Sequence, residues 1–159
     1  MIYIDGSEKS GSGTIVRYAI ALSSLLGEEI HISNIRAKRD KPGLRPQHLA
    51  SVSACARMCG AHVEGTRVNS TEISYKPGRR IKGGYCQLEI GTAGSTTLLA
   101  MTLLPLALFA DEQTTLRISG GLFQDFAPSA HHMQHVLFPT LGKMGIRAEL
   151  EVIRPGYVP

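Results

Sequence analysis

The sequence predicts an α/β (α+β) chain built from two tandem copies of one β-α-β-α-β unit. Three observations carry this. "GSGTIVRYAIALSSLLG" and "AGSTTLLAMTLLPLALFA" are both apolar helical patterns opened by glycine and serine. Each is followed by a strand-like stretch that ends in a turn, "GEEIHISNIRAK" or "EQTTLRISGGLF". "CGAHVE" and "MGIRAE" then recur 85 residues apart, at 59–64 and 144–149, each closing a second helix.

The first copy, residues 1–78, reads as strand 2–5, helix 13–26, strand 29–35, helix 46–59 and strands 61–65 and 71–75. Apolar residues at 15, 16, 19, 20, 22, 25 and 26 give its first helix the helical period. Gly27 and Gly60 stand where helix C-caps are expected. The second copy, residues 79–159, reads as strand 85–90, helix 94–109, strand 114–119, helix 129–144 and strand 147–153. Pro105 and Pro139 are expected to kink or interrupt its two helices. "YKPGRRIKGGY" joins the copies as a basic, exposed turn. The proline- and glycine-rich "IRPGYVP" at the end reads as a connection leading onward, so the chain is expected to be the front part of something longer.

The 159 residues are 43% hydrophobic and 19% charged, which fits a globular chain and excludes a disordered one. The longest apolar stretch, Leu103 to Ala110, is too short to span a bilayer. "MIYIDGSEK" has neither the basic nor the apolar region of a signal peptide, so a cytoplasmic location is expected. Three cysteines in such a chain are expected to be reduced. Cys55, Cys59 and His62 lack the further ligand that a zinc site needs, so buried structural thiols are expected.

The net charge of +4 is unevenly spread. Five cations and one anion lie between Arg36 and Arg45, and four cations lie between Lys76 and Lys82. Such runs are either solvated loops or contacts for an anionic partner such as nucleic acid or nucleotide. The opening loop has the glycine spacing of a P-loop from Gly6 to Gly11, but Ser12 stands in place of its lysine. Gly11 and Gly13 begin a dinucleotide fingerprint that Val16 breaks. What survives is a helix start whose free N–H groups can hold an anion. Arg17 opposes the helix dipole there, which makes sense if an anion sits between them. Arg36 and Arg39 follow a strand and can fork onto phosphate oxygens, and Gln47 and His48 open the next helix beside them. His131 and His135 lie one turn apart without the glutamate of a zinc-protease motif, so surface or packed histidines are expected.

"IDGS", "IRAKRDKPGLRPQHL", "CGAHVEG", "GTAGSTTLLAMTLLP", "ISGG" and "RPGYVP" together resemble the RNA 3′-terminal phosphate cyclases, over essentially the whole chain and about the front half of that family's length. The resemblance implies repeats with a four-stranded sheet and two helices, a fold shared with enolpyruvyl transferases, with a third repeat and an insert domain outside this chain. "PGLRPQHL" argues for the cyclases over the transferases. The implied reaction turns an RNA 3′-phosphate into a 2′,3′-cyclic phosphate. ATP adenylates an enzyme histidine, AMP passes to the RNA phosphate, and the 2′-hydroxyl expels it, with Mg2+ or Mn2+ assisting. The resemblance places Arg17, Arg36, Arg39 and Gln47 on the RNA phosphate. It places Met101, Ala127 and Pro128 on the nucleotide.

The adenylated histidine belongs to the family's C-terminal part, so neither His131 nor His132 is its counterpart, and this chain alone is expected to be inactive. Ser10 stands where most members carry a metal-holding acid, with Glu8 and Lys9 close by. Met101 replaces a nucleotide-contacting glutamine. Both departures favour the alternative of a non-catalytic, cyclase-like RNA-binding protein. The partners implied are RNA 3′ ends and ATP. The apolar surface left by an unpaired third repeat is expected to support self-association.

Overall fold

The computed structural model describes residues 1–155. β1 (Ile2–Asp5), β2 (Ile30–Ser33), β4 (Ile73–Lys76) and β3 (His62–Glu64) form a four-stranded sheet in that spatial order. β1 and β2 are parallel and joined through α1 (Gly13–Leu26), whereas β4 runs antiparallel to both β2 and β3. The second half repeats the first crossover. β5 (Gly84–Glu89) pairs in parallel with β6 (Thr114–Ser119), joined through α3 (Thr96–Leu108).

Local chemistry sets the helix ends. Ser12 caps α1 by accepting the Thr14 N–H, and Ser95 caps α3 by accepting the Leu98 N–H. α2 (Pro46–Cys59) starts with a proline, whose missing N–H costs nothing in the first turn. Gly27 and Gly60 end α1 and α2 at φ 71° and 68°, the left-handed conformation expected of them. One core joins both halves: Val16 and Ile20 of α1, Val52 and Met58 of α2, Ile32 and Tyr75 of the sheet, and Leu99, Leu103 and Leu106 of α3. Cys55 and Cys59 are buried in it, whereas His62 is exposed. The thiols are structural.

Two expectations are corrected, and the interruption expected at Pro139 is met. Residues 147–153 form no strand. In the first sheet β3 joins only through β4, and among the described residues no strand lies beside β6 in that role, so this segment has no ladder partner. The second sheet accordingly has two strands among the described residues. The helix expected over 129–144 is broken into α4 (Ala130–His132), a π turn (Met133–Leu137) and α5 (Phe138–Gly142). Pro139 has no N–H for the His135 carbonyl, and the Phe138 N–H reaches back five residues to Met133. Pro105, by contrast, does not stop α3, which continues to Leu108.

α1 is also turned relative to its apolar pattern. Ser23 and Ser24 are buried, while Leu22 and Leu26 are 54% and 70% exposed. The serines are tolerated inside because each is satisfied. Ser24 donates to the Ile20 carbonyl and shares a hydrogen bond with the Tyr75 hydroxyl, and Ser23 donates to the Glu28 carbonyl.

Candidate functional site

The N-termini of α1, α2 and α3 meet at the end of the molecule where the parallel strands β1, β2, β5 and β6 finish. The loop after β1 is folded by Asp5, which accepts from the Ser7 N–H at 2.9 Å and the Asn34 side chain at 3.3 Å. Those bonds hold the Asp5 carboxyl below its ordinary range. Gly6 lets this loop lie against the backbone of Ser33 and Ile35, where a Cβ would fall 2.9 Å from each. Lys38 donates to the Lys9 carbonyl at 3.3 Å and ties the loop to the basic segment after β2.

That basic segment is shaped by Arg36. Its backbone is left-handed at φ 56°, uncommon for a residue with a Cβ. Its Nη1 donates to the carbonyls of Lys41 at 2.7 Å and Gly43 at 2.9 Å. Arg36 therefore closes the loop with one nitrogen, and its other side-chain N–H groups have no hydrogen-bond partner among the described residues. Arg39 is exposed, and its guanidinium has no partner among the described residues. Arg45 donates to the Asn69 side chain at 2.9 Å.

The hub of the site is His48. It sits at the third position of α2, where its Nδ1 accepts the Arg45 N–H at 3.0 Å. A histidine thus does the work of the glutamate in a capping box. Arginine has no acceptor to offer in return, and the His48 N–H goes to the Arg45 carbonyl instead. The ring is only 2% exposed. Burial, reinforced by Arg17, Arg36 and Arg45, pushes its pKa down to about 3, so it is neutral. With Nδ1 accepting, the proton is assigned to Nε2, the atom facing α1. Gly13 makes this approach possible, because a Cβ there would collide with the His48 Nε2.

Arg17 reaches back along α1, with its Nη2 3.4 Å from the Thr14 hydroxyl. Burial lowers its pKa, yet an arginine stays charged. Burial and the neighbouring Arg39 and Arg45 lower Arg36 likewise. Among the described residues none of these four arginines is ion-paired; the four ion pairs lie elsewhere. Arg17, Arg36 and Arg45 act electrostatically on His48, and Arg39 and Arg45 act on Arg36, so like charges are gathered here without an ion-paired carboxylate among the described residues. Unpaired guanidinium groups of this kind suit an anion with several oxygens.

Gln47 lies on the α3 side of the cluster. A Cβ on Gly94 would fall 2.8 Å from the Gln47 Cβ and 3.3 Å from its Oε1, so the β5–α3 loop closes directly onto it. Met101 lines a shallow cleft between α1 and α3 with Arg17, Thr14, Tyr18, Leu98 and Thr102. Ala127 and Pro128 are half-buried in the loop after β6 and are not part of that cleft. Ser10 is exposed between Lys9 and Gly11, both in left-handed conformation.

The structure thus gathers Arg17, Arg36 and Gln47 with Arg39 alongside, and it adds Arg45 and Gly13, which the sequence did not single out. The second basic run lies elsewhere. A Cβ on Gly78 would collide with the Cys59 carbonyl, and the Lys82 N–H donates to the Met58 carbonyl. Lys76–Lys82 therefore sits at the far end of α2, about 20 Å away along a helix of 14 residues.

A model of the RNA 3′-terminal phosphate cyclase family matches residues 8–159. The chain belongs to that family. Proteins named RNA 3′-terminal phosphate cyclase are similar to it over its whole length. The one from Archaeoglobus fulgidus is 46% identical over 159 residues, which make up 48% of that protein. The one from Desulfurococcus amylolyticus is 44% identical over 159 residues, 44% of its length. The one from Nitrosospira multiformis is 44% identical over 156 residues, 98% of this chain and 44% of that protein. The chain spans a little under half the length of these cyclases. No helix among its described residues is long and apolar enough to cross a membrane.

The metal expected for the family does not fit the donors present. Among the described residues no three His, Cys, Asp or Glu side chains come together. Ser10 offers a hydroxyl, and the Asp5 carboxylate is already engaged by Ser7 and Asn34.

Proposed function

We propose that this chain supplies the terminal-phosphate cradle of an ATP-dependent RNA 3′-terminal phosphate cyclase. The observation that carries the reading is the set of arginines Arg17, Arg36 and Arg45 about the buried, neutral His48, with Arg39 beside Arg36, none of them ion-paired among the described residues. An RNA 3′-phosphate is a dianion with three terminal oxygens, which matches several forked donors better than an internal phosphodiester does. Its charge repels nucleophiles until it is neutralised, and fixed guanidinium groups in a partly desolvated site do this.

In the proposed reaction a histidine outside these 159 residues takes AMP from ATP and releases pyrophosphate; a terminal oxygen of the RNA phosphate then attacks that AMP phosphorus, and the histidine–phosphorus bond breaks. The neighbouring 2′-hydroxyl then attacks phosphorus, the bond to AMP breaks, and AMP leaves. Arg17, Arg36 and Arg39 bind the phosphate, Gln47 and the His48 Nε2–H orient it, and Met101, Ala127 and Pro128 border the nucleotide. The division into repeats at 1–78 and 79–159 belongs to the same reading. The adenylated histidine lies outside these 159 residues. Mg2+ or Mn2+ is expected with the nucleotide, and no step is assigned to it. An RNA substrate and reduced thiols fit the cytoplasm. The exposed Leu22, Leu26 and Phe109 support self-association.

Ser10 and Met101 favour a second reading, a cyclase-like protein that holds RNA ends without catalysis. Both readings share the cradle, and Arg39→Ala tests it. The variant is expected to weaken binding of 3′-phosphorylated RNA about ten-fold and to leave the same RNA with a 3′-hydroxyl nearly unchanged. Equal weakening of both would make Arg39 a general backbone contact.

A further inference from the structure

The loop after β6 carries a feature that the phosphate cradle does not use. The Phe123 and His131 rings stack at 5.3 Å between centroids, with planes 27° apart. His131 stacks in turn on His135, at 6.3 Å and 13°. His131 therefore links the three rings into a column of two successive stacked pairs. His131 and His135 are exposed, and the same loop holds Phe126 fully in solvent at φ 61°. The histidines are poorly arranged for a shared metal. Lone pairs lie in the ring planes, and two parallel planes do not aim them at one ion.

The column belongs to the same end of the molecule as the cradle. The Gly121 N–H donates to the Gly94 carbonyl at 2.9 Å, and the Thr96 N–H donates to the Gly121 carbonyl at 2.8 Å. Gly94 in turn abuts Gln47. The loop bearing Phe123 thus leaves β6 beside the cradle, and Phe123 follows Gly121 by two residues.

Stacked aromatic rings, two of them exposed, next to a cationic phosphate site are the two elements of single-strand recognition: a charged track and a stacking ledge. We propose that the Phe123–His131–His135 column stacks an unpaired base of the RNA strand whose terminal phosphate the arginines hold. This rests on the cradle reading and adds the base-binding half of the site. Because every base has a π face, the column favours single-stranded ends over paired ones without selecting a sequence.

The test uses short RNAs with a 3′-phosphate. One series carries 2-aminopurine at one of the last three positions, and a matched series is abasic there. Binding is expected to quench 2-aminopurine. The double variant His131→Ala/His135→Ala is expected to lose that quenching and to bind base-bearing RNA about ten-fold more weakly, with abasic RNA unchanged. His135→Trp is expected to deepen the quenching. Equal weakening of both series, or quenching that survives the double variant, would overturn the proposal. Quenching of 2-aminopurine riboside triphosphate by the column, without quenching of the RNA, would also overturn it in favour of the nucleotide. The preference for 3′-phosphate over 3′-hydroxyl is read in the same titrations. Its loss in wild type would count against the cradle, and its persistence in the double variant separates the two claims.

Discussion

The His48 ring occupies the space that a side chain on Gly13 would need. This contact locks the start of α2 to the start of α1, and with it the positions of Arg17 and Arg45. Gly13→Ala is therefore expected to force the ring out of place. Overpacking of this kind should cost about 1–3 kcal/mol in urea unfolding. It should also abolish the preference for a 3′-phosphate. Gly27→Ala has open space around its Cβ but a φ of 71°. It should cost only about 1 kcal/mol and leave that preference intact.

His48 makes stability depend on pH. Its folded pKa lies near 3 against an ordinary 6.5, so the unfolded chain binds the proton more readily. Its contribution is fully present above pH 6.5 and is lost as the pH falls towards 3. The slope is about 1.4 kcal/mol per pH unit, or roughly 2–3 kcal/mol lost by pH 4.5. His48→Gln keeps an acceptor for the Arg45 N–H and cannot take up a proton. Urea unfolding of this variant is expected to lose most of the acid slope between pH 6.5 and 4.5. An unchanged slope would place the titration elsewhere.

Much of this was legible in the sequence because it is set locally. Ser12, Pro46 and Ser95 mark helix starts, and Gly27 and Gly60 mark ends, through bonds within a few residues. The arginines were visible as a run, but their convergence was not. It depends on Gly13 meeting His48 and Gly94 meeting Gln47 across long stretches of chain. His48 read as a donor to an anion at a helix start; the clue to its capping role was its place three residues after Arg45, where a capping partner is expected. The outward turn of Leu22 and Leu26 was hidden because Ser24 hides its polarity in bonds to Ile20 and Tyr75. Strand 147–153 failed for a non-local reason, the lack of a neighbouring strand to pair with among the described residues.

The chain is expected to take no covalent label from ATP carrying a labelled α-phosphate, with either Mg2+ or Mn2+, because the adenylated histidine of the proposed reaction lies outside it. Denaturing gels after incubation read this directly. A stable label lost on His131→Ala or His132→Ala would assign the nucleophile to this chain.

Equilibrium binding of one RNA with two different ends tests most directly whether the arginines around His48 hold a terminal phosphate. The 3′-phosphorylated strand is expected to bind wild type about ten-fold or more tightly than its 3′-hydroxyl counterpart, and the difference should fall with Arg17→Ala or Arg39→Ala. Equal affinity for the two ends in wild type would contradict the account.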